Sequence, residues 1–268
     1  MRFLFFLALL LSTDRTLAQE IQVQYLANEG VRISNEHSVV YIDALFGNEF
    51  EAYDYLTVDT LNLVFNDGKD RTKNTFILAS HVHGDHFSAD ITGEFLQSNP
   101  NTLFISPQET IDVFKSTFED FQDISEQVKT VALQKYQYHI FEFDHLKITI
   151  INLDHLGESP WKEAINFAYI IEMNGKKIIH FGDAGIDEVN LKTLNLPKMN
   201  LDIAIIRIGQ IASLNHKILI DRYIAPKHLV AAHIPLSYYD RAESILKDFD
   251  YDNVIIFNEP LKEYTFKN

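Results

Sequence analysis

Four potential metal ligands fall within six residues in Ser80-His81-Val82-His83-Gly84-Asp85-His86, directly after the apolar run 75–80. In an extended chain alternate side chains share a face, so His81 and His83 point to one side. Gly84 permits a tight turn that swings Asp85 and His86 toward the same place. Imidazole and carboxylate are natural zinc ligands. With 11 histidines in 268 residues, three beside an aspartate in so short a window is too dense for chance. A chain with this cluster at the end of a buried strand has to bring that strand end to an edge of its scaffold, where a metal and a substrate can enter.

Composition removes competing chemistries. There is no cysteine, which excludes disulfides, thiolate-ligated zinc, iron–sulfur clusters and thiol nucleophiles. The 46% hydrophobic content predicts a globular chain. Lys and Arg number 23 against 38 Asp and Glu, a formal charge of -15, which repels phosphate backbones and argues against a nucleic-acid partner.

Residues 1–18 read as a signal peptide. Arg2 supplies the positive start, residues 3–11 are unbroken apolar sequence, and Thr16-Leu17-Ala18 gives a small-x-small cleavage site before Gln19. That apolar run is far short of the roughly 20 residues a bilayer span requires. The expectation is an exported protein, periplasmic or secreted, with no stable membrane anchor.

Beyond the leader, residues 21–26, 31–34 and 39–43 are short β-branched runs separated by Asn-Glu-Gly and Asn-Glu-His turns, which predicts an antiparallel meander. Residues 44–74 are mostly polar, with one apolar island at 61–65. A strand at 75–80, a helix at 88–97 with Ser88 as its N-cap, a strand at 102–106 and a helix at 107–118 opening on proline follow. Strands resume at 128–133, 138–143, 146–153, 167–173 and 176–181, with Asn174-Gly175 as a hairpin turn. Strands at 201–208, 229–233 and 254–257 then alternate with helical stretches near 187–195, 211–222 and 238–248. Each half therefore runs strands first and strand–helix alternation second, which predicts an α/β fold of two sheets packed face to face with helices outside. No linker composition interrupts 19–268, read as one domain.

The spacing of the cluster resembles the His-x-His-x-Asp-His signature of the metallo-β-lactamase superfamily, and the resemblance runs along nearly all of residues 20–260. His155 stands after the strand at 146–153, Asp183 follows the strand at 176–181 in Gly182-Asp183-Ala184, and His233 stands after a late strand in Ala232-His233-Ile234-Pro235. Alone, His155 would pass for an ordinary polar residue at a strand end and Asp183 for a helix cap; their order after the first motif is what singles them out. His228 competes with His233, but His233 ends its apolar run and His228 enters it. His139, His145, His180 and His216 fit no ligand position.

The resemblance implies a four-layer αβ/βα sandwich with mixed sheets and a metal site at one edge. It implies two divalent metal ions: His81, His83 and His155 on one, Asp85, His86 and His233 on the other, and Asp183 bridging. Zinc is the default for such ligands, and manganese or iron also fits. Ions roughly 3.5–4 Å apart share a hydroxide that forms near neutral pH, with Asp85 as the catalytic residue that orients it. His83, where the diiron flavoprotein branch has glutamate, argues against oxygen or nitric oxide reduction. Ala225-Pro226-Lys227 and Ile234-Pro235 look more like the branch of L-ascorbate-6-phosphate lactonase and N-acyl-phosphatidylethanolamine phospholipase D. The function implied is an exported dinuclear hydrolase that uses a metal-bridging hydroxide to cleave an ester, lactone or phosphodiester of a small-molecule substrate. A β-lactamase is the alternative, ahead of a nuclease or a non-catalytic metal-binding protein. Residues 44–74 and 158–162 are expected to flank the metals, with Trp161, Tyr238 and Tyr239 as candidate pocket aromatics.

Overall fold

The computed structural model describes residues 20–48, 50–251 and 253–267. The expected signal peptide lies outside the described residues. The first half opens with three strands, β1 (Glu20–Ala27), β2 (Gly30–Ser34) and β3 (Ser38–Ile42). It continues through α1 (Val58–Asp67), β4 (Asn74–Leu78), α2 (Ala89–Ser98), β5 (Leu103–Ile105), α3 (Gln108–Thr117), α4 (Phe121–Ile124) and β6 (Val128–Lys129). The second half opens with β7 (Tyr138–Phe143), β8 (Leu146–Asp154), β9 (Ile165–Met173) and β10 (Lys176–His180). It continues through α5 (Glu188–Leu191), β11 (Ile203–Arg207), α6 (Ile208–Ile211), α7 (Leu214–Tyr223), β12 (His228–Ala232), α8 (Ala242–Lys247) and β13 (Val254–Ile256). A last strand, β14 (Glu263–Lys267), returns to pair antiparallel with β1.

Two mixed seven-stranded sheets result, ordered β14-β1-β2-β3-β4-β5-β6 and β13-β12-β11-β10-β9-β8-β7. The opening strands of each sheet pair antiparallel. From β3 to β6 and from β10 to β13 the pairing is parallel. Period-two alternation sorts the side chains: Val40, Ile42, Ile148 and Ile150 join the core between the sheets. Val39 and Tyr41 pack outward with Phe95 of α2 and Phe114 of α3. Ile151 and Leu153 pack outward with Ile220 of α7 and Leu246 of α8. Each such buried aliphatic or aromatic side chain contributes about 1.5–3 kcal/mol. Both faces of both sheets are thus covered, giving the four-layer αβ/βα sandwich.

Local signals explain most boundaries. Ser88 accepts from Ile91 N and caps α2, and α3 starts after Pro107. Asn174 and Gly175 both take positive φ between the paired Met173 and Lys176, which is what a two-residue hairpin turn demands. Other expectations need correction. The island at 61–65, for which the sequence predicts no element, is the middle of α1: Leu61, Val64 and Phe65 recur at helical spacing behind an N-cap at Thr57. The strand expected at 128–133 stops at Lys129, because β5 offers it only Phe104 and Ile105 as partners. The helix near 187–195 is one turn, α5, and the stretch at 211–222 is split by Ala212 and Ser213 into α6 and α7. The strand β14 was not expected at all.

Candidate metal centre

Parallel strands leave their carboxyl ends along one edge of each sheet, and the loops there are where open α/β folds bind ligands. On the first sheet that edge carries Asp43 after β3 and residues 80–86 after β4. On the second it carries His155 after β8, Asp183 after β10, Arg207 at the end of β11 and His233 after β12. All seven expected ligands meet there. The ligand atoms of His81, His83 and His155 lie within 4.8 Å of one another, as do those of Asp85, His86 and His233, and those of His81, His86 and Asp183. Asp183 Oδ1 stands 3.6 Å from His86 Nε2 and 3.5 Å from His233 Nε2, while its Oδ2 stands 3.6 Å from His155 Nε2.

The loop is braced from below by a residue the sequence reading passed over as a strand end. Asp43 accepts from Ser80 N and Ser80 Oγ, both at 2.6 Å, and its Oδ2 lies 2.9 Å from His86 Nδ1. Ser80 Oγ in turn meets His81 Nδ1 at 2.9 Å. These bonds occupy the Nδ1 atoms and aim each Nε2 at the centre. On the second sheet, His155 Nδ1 meets its neighbour's carbonyl, Leu156 O, at 2.5 Å. Asp183 N donates to Asn166 Oδ1 and His233 N to Asn28 O, both at 3.0 Å. Gly182 has φ +54°, and a Cβ there would lie 2.6 Å from Ser80 Cβ, so only glycine lets β10 turn Asp183 past the loop.

These side chains fit a cation. The Nε2 atoms of His81, His86, His155 and His233 and the Oδ1 of Asp183 are buried with no hydrogen-bond partner among the described residues. Left that way, each would cost about 1–3 kcal/mol. Burial, followed by the neighbouring imidazoles, holds His81 well below the ordinary histidine value, and burial likewise lowers His83, His155 and His233, so their lone pairs are free. Burial also opposes charge on His86, but Asp85, Asp183 and Asp43 outweigh it and push that pKa up to about 10. A spot where three carboxylates retain a proton is one that stabilises positive charge. For Asp85 burial favours the neutral acid, yet His86 and His233 overrule it and lower its pKa.

A cleft of about 380 Å3 opens over these groups, walled by Phe50, Tyr53, Leu156, Trp161 and Arg207. Trp161 stands edge-on to His83 with centroids 5.1 Å apart, and Tyr53 edge-on to His233 at 4.2 Å. Residues from 44–74 and 158–162 thus flank the centre as expected. Tyr238 and Tyr239 do not line it: Tyr239 bonds Tyr25 through their hydroxyls, and Tyr238 lies under Arg241. His228 sits at the opposite strand end, against Phe266. His180 is buried but spent, with Nε2 on Glu29 O and Nδ1 accepting from Gly182 N. The sequence reading missed Arg207, whose Nη1 donates to Asp183 Oδ2 at 2.6 Å. A single charge closing the apolar run 203–206 was the available signal.

Residues 39–235 match the family model of the beta-lactamase superfamily domain. The chain belongs to this superfamily. Comparison with curated proteins finds no match. Among solved structures that share the superfamily fold, the metallo-β-lactamase fold protein YhfI from Bacillus subtilis superposes with a TM-score of 0.61 at 14% identity, covering 92% of this chain and 100% of that one. Igni18, a metallo hydrolase from the hyperthermophilic archaeon Ignicoccus hospitalis, gives 0.60 at 16%, covering 93% and 99%. An isothiocyanate hydrolase from Delia radicum gut bacteria gives 0.61 at 13%, covering 92% and 99%. At such identities the superfamily likeness speaks for the fold, and the site has to be argued from its own residues.

Proposed function

We propose that this chain is an exported metal-dependent hydrolase with a dinuclear centre, acting on an ester, lactone or phosphodiester of a small molecule. The observation that carries the reading is the convergence of four unpartnered buried imidazole nitrogens on one carboxylate, Asp183, at the floor of an open cleft. His81, His83 and His155 would hold one divalent ion, Asp85, His86 and His233 the other, with Asp183 between them. Bound there, such ions supply Lewis acidity and a nucleophile at neutral pH, without any serine or cysteine. The chain's own residues do the positioning. Asp85 Oδ2, 3.3 Å from His233 Nε2, is the acceptor that orients the attacking group. Asp43 and Ser80 fix the loop, and Tyr53 and Trp161 wall the cleft against bulk water. The metallo hydrolase Igni18 and the isothiocyanate hydrolase, which share this fold, support the reaction class. Export rests on Arg2, the apolar run 3–11 and Thr16-Leu17-Ala18.

A panel of esters, lactones, phosphodiesters and β-lactams, assayed with and without added zinc or manganese, tests the reaction. Turnover of one of the first three that chelation abolishes and metal restores supports the proposal. Turnover of β-lactams alone would replace it with a β-lactamase, and chelator-resistant turnover would refute it. Intact mass of the exported protein tests the leader: a chain beginning at Gln19 is expected, and a full-length chain in the membrane fraction would contradict it.

A further inference from the structure

Arg207 is the one lysine or arginine lining the cleft among the described residues. It ends β11, paired in register with Ala232, and so stands between the strands that deliver Asp183 and His233. Three other ligands are held by neutral or negative partners: a hydroxyl for His81, a carboxylate for His86, a backbone carbonyl for His155. Among the seven ligands, Asp183 is the one that bonds an arginine or lysine. A cation on a ligand carboxylate draws electron density away from any metal that the carboxylate binds. Bracing Asp183 therefore does not account for an arginine here, and Asn166 already positions the Asp183 backbone. The Arg207 side chain keeps 21% of its surface open while Asp183 keeps 7%. Its contact with Asp183 uses one N–H and the Tyr53 hydroxyl stands against the guanidinium, which leaves the rest of the donor fork for an oxygen of an anion. Across the cleft stand the apolar surfaces of Leu156 and Trp161. In a protein of charge -15, a lone arginine beside the reaction centre has a use if the arriving molecule is an anion.

We propose that Arg207 determines specificity by receiving an anionic oxygen of the substrate, from a phosphate or a carboxylate, so that the enzyme selects negatively charged esters over neutral ones of the same shape. This rests on the hydrolase reading. The test uses metal-loaded wild type, Arg207→Ala and Arg207→Lys on two matched pairs. One pair is methyl para-nitrophenyl phosphate against its neutral dimethyl triester. The other is mono-para-nitrophenyl succinate against neutral para-nitrophenyl acetate. In Arg207→Ala, KM for the charged member of one pair should rise about 10- to 100-fold, the size of a lost charge-assisted hydrogen bond. Whatever Arg207→Ala does to the neutral member, the charged member should lose about 10-fold more, with metal content unchanged. The pair that responds identifies phosphate or carboxylate. Arg207→Lys keeps the charge without the fork and should fall between. Equal loss on both members of each pair, or loss of metal, would show that Arg207 acts only through Asp183 and would overturn the proposal. If no ester is turned over, calorimetric titration with inorganic phosphate and with succinate decides. Binding of either that weakens about 10-fold or more in Arg207→Ala upholds the proposal while the hydrolase reading fails. Binding of neither, or binding indifferent to Arg207, overturns it.

Discussion

The loop 80–86 and the strand ends of the second sheet arrive at one centre by different routes. The loop supplies His81, His83, Asp85 and His86 from a single stretch, and one buried carboxylate, Asp43, holds its base through Ser80 and His86. The second sheet supplies His155, Asp183 and His233 one at a time, each fixed by its own bond: His155 to the next residue's carbonyl, Asp183 to Asn166 and His233 to Asn28. One half of the centre is thus a local device with a single brace, and the other half exists only through the packing of the whole sandwich. Damage to the brace should disturb several ligands together, and damage on the second sheet should stay with one.

The largest effect should come from Asp85→Asn, which preserves shape but removes the charge proposed to orient the attacking group. It should lower kcat by about 100-fold or more while the ion at His81, His83 and His155 stays bound, as read by steady-state kinetics beside elemental analysis. A fully active variant would show that the loop's carboxylate is misassigned. Next comes the brace. Asp43→Asn replaces one of the two oxygens that accept from Ser80 and His86 with an NH2 donor, and loss of such an outer partner lowers metal affinity by about 10- to 100-fold. Zinc titration should show both ions weakened. If only one weakens, the loop is not a unit.

A smaller effect separates the scaffold from the centre. On the first sheet Arg32 and Tyr41 bond Asp67 of α1, at 2.7 and 2.5 Å. Burial favours the neutral acid, but these bonds overrule it and hold Asp67 below its ordinary value of 3.8. A depressed carboxylate stabilises the fold fully above its unfolded pKa, and the contribution vanishes as pH falls through the lower folded value. Asp67→Asn should cost about 1 kcal/mol near neutral pH, a modest figure because the pair is partly solvated. In denaturant melts the gap from wild type should close as pH falls through the depressed folded value of Asp67, and at neutral pH the metal content should match wild type; a gap independent of pH would remove the ion pair as its cause. The smallest effect should come from His139→Ala and His145→Ala. His139 stands edge-on to Phe141 and His145 stacks on His37, away from the centre, so rate and metal content should be unchanged. Metal loss in either would break the assignment of the second-sheet ligands.

The same comparison explains what could be read from the sequence. The loop cluster is contiguous, so strand alternation and one glycine sufficed to see it. His155, Asp183 and His233 carry no local signature and were found only through their order in a known superfamily. The meander, the Asn174-Gly175 hairpin and the Ser88 cap are set by neighbouring residues and were legible. The length of β6, the pairing of β14 with β1, and the roles of Asp43 and Arg207 depend on distant strands, which no window of sequence displays. Tyr238 and Tyr239 were candidates on aromatic character alone, and packing took them elsewhere.

That the two halves build one centre for two ions is tested most directly by elemental analysis of protein purified without chelator and reloaded with zinc or manganese. About two ions per chain are expected from two groups of three ligands joined by Asp183, falling by about one when His155 is replaced by Ala. Well under one ion per chain, not restored by either metal, would contradict the account.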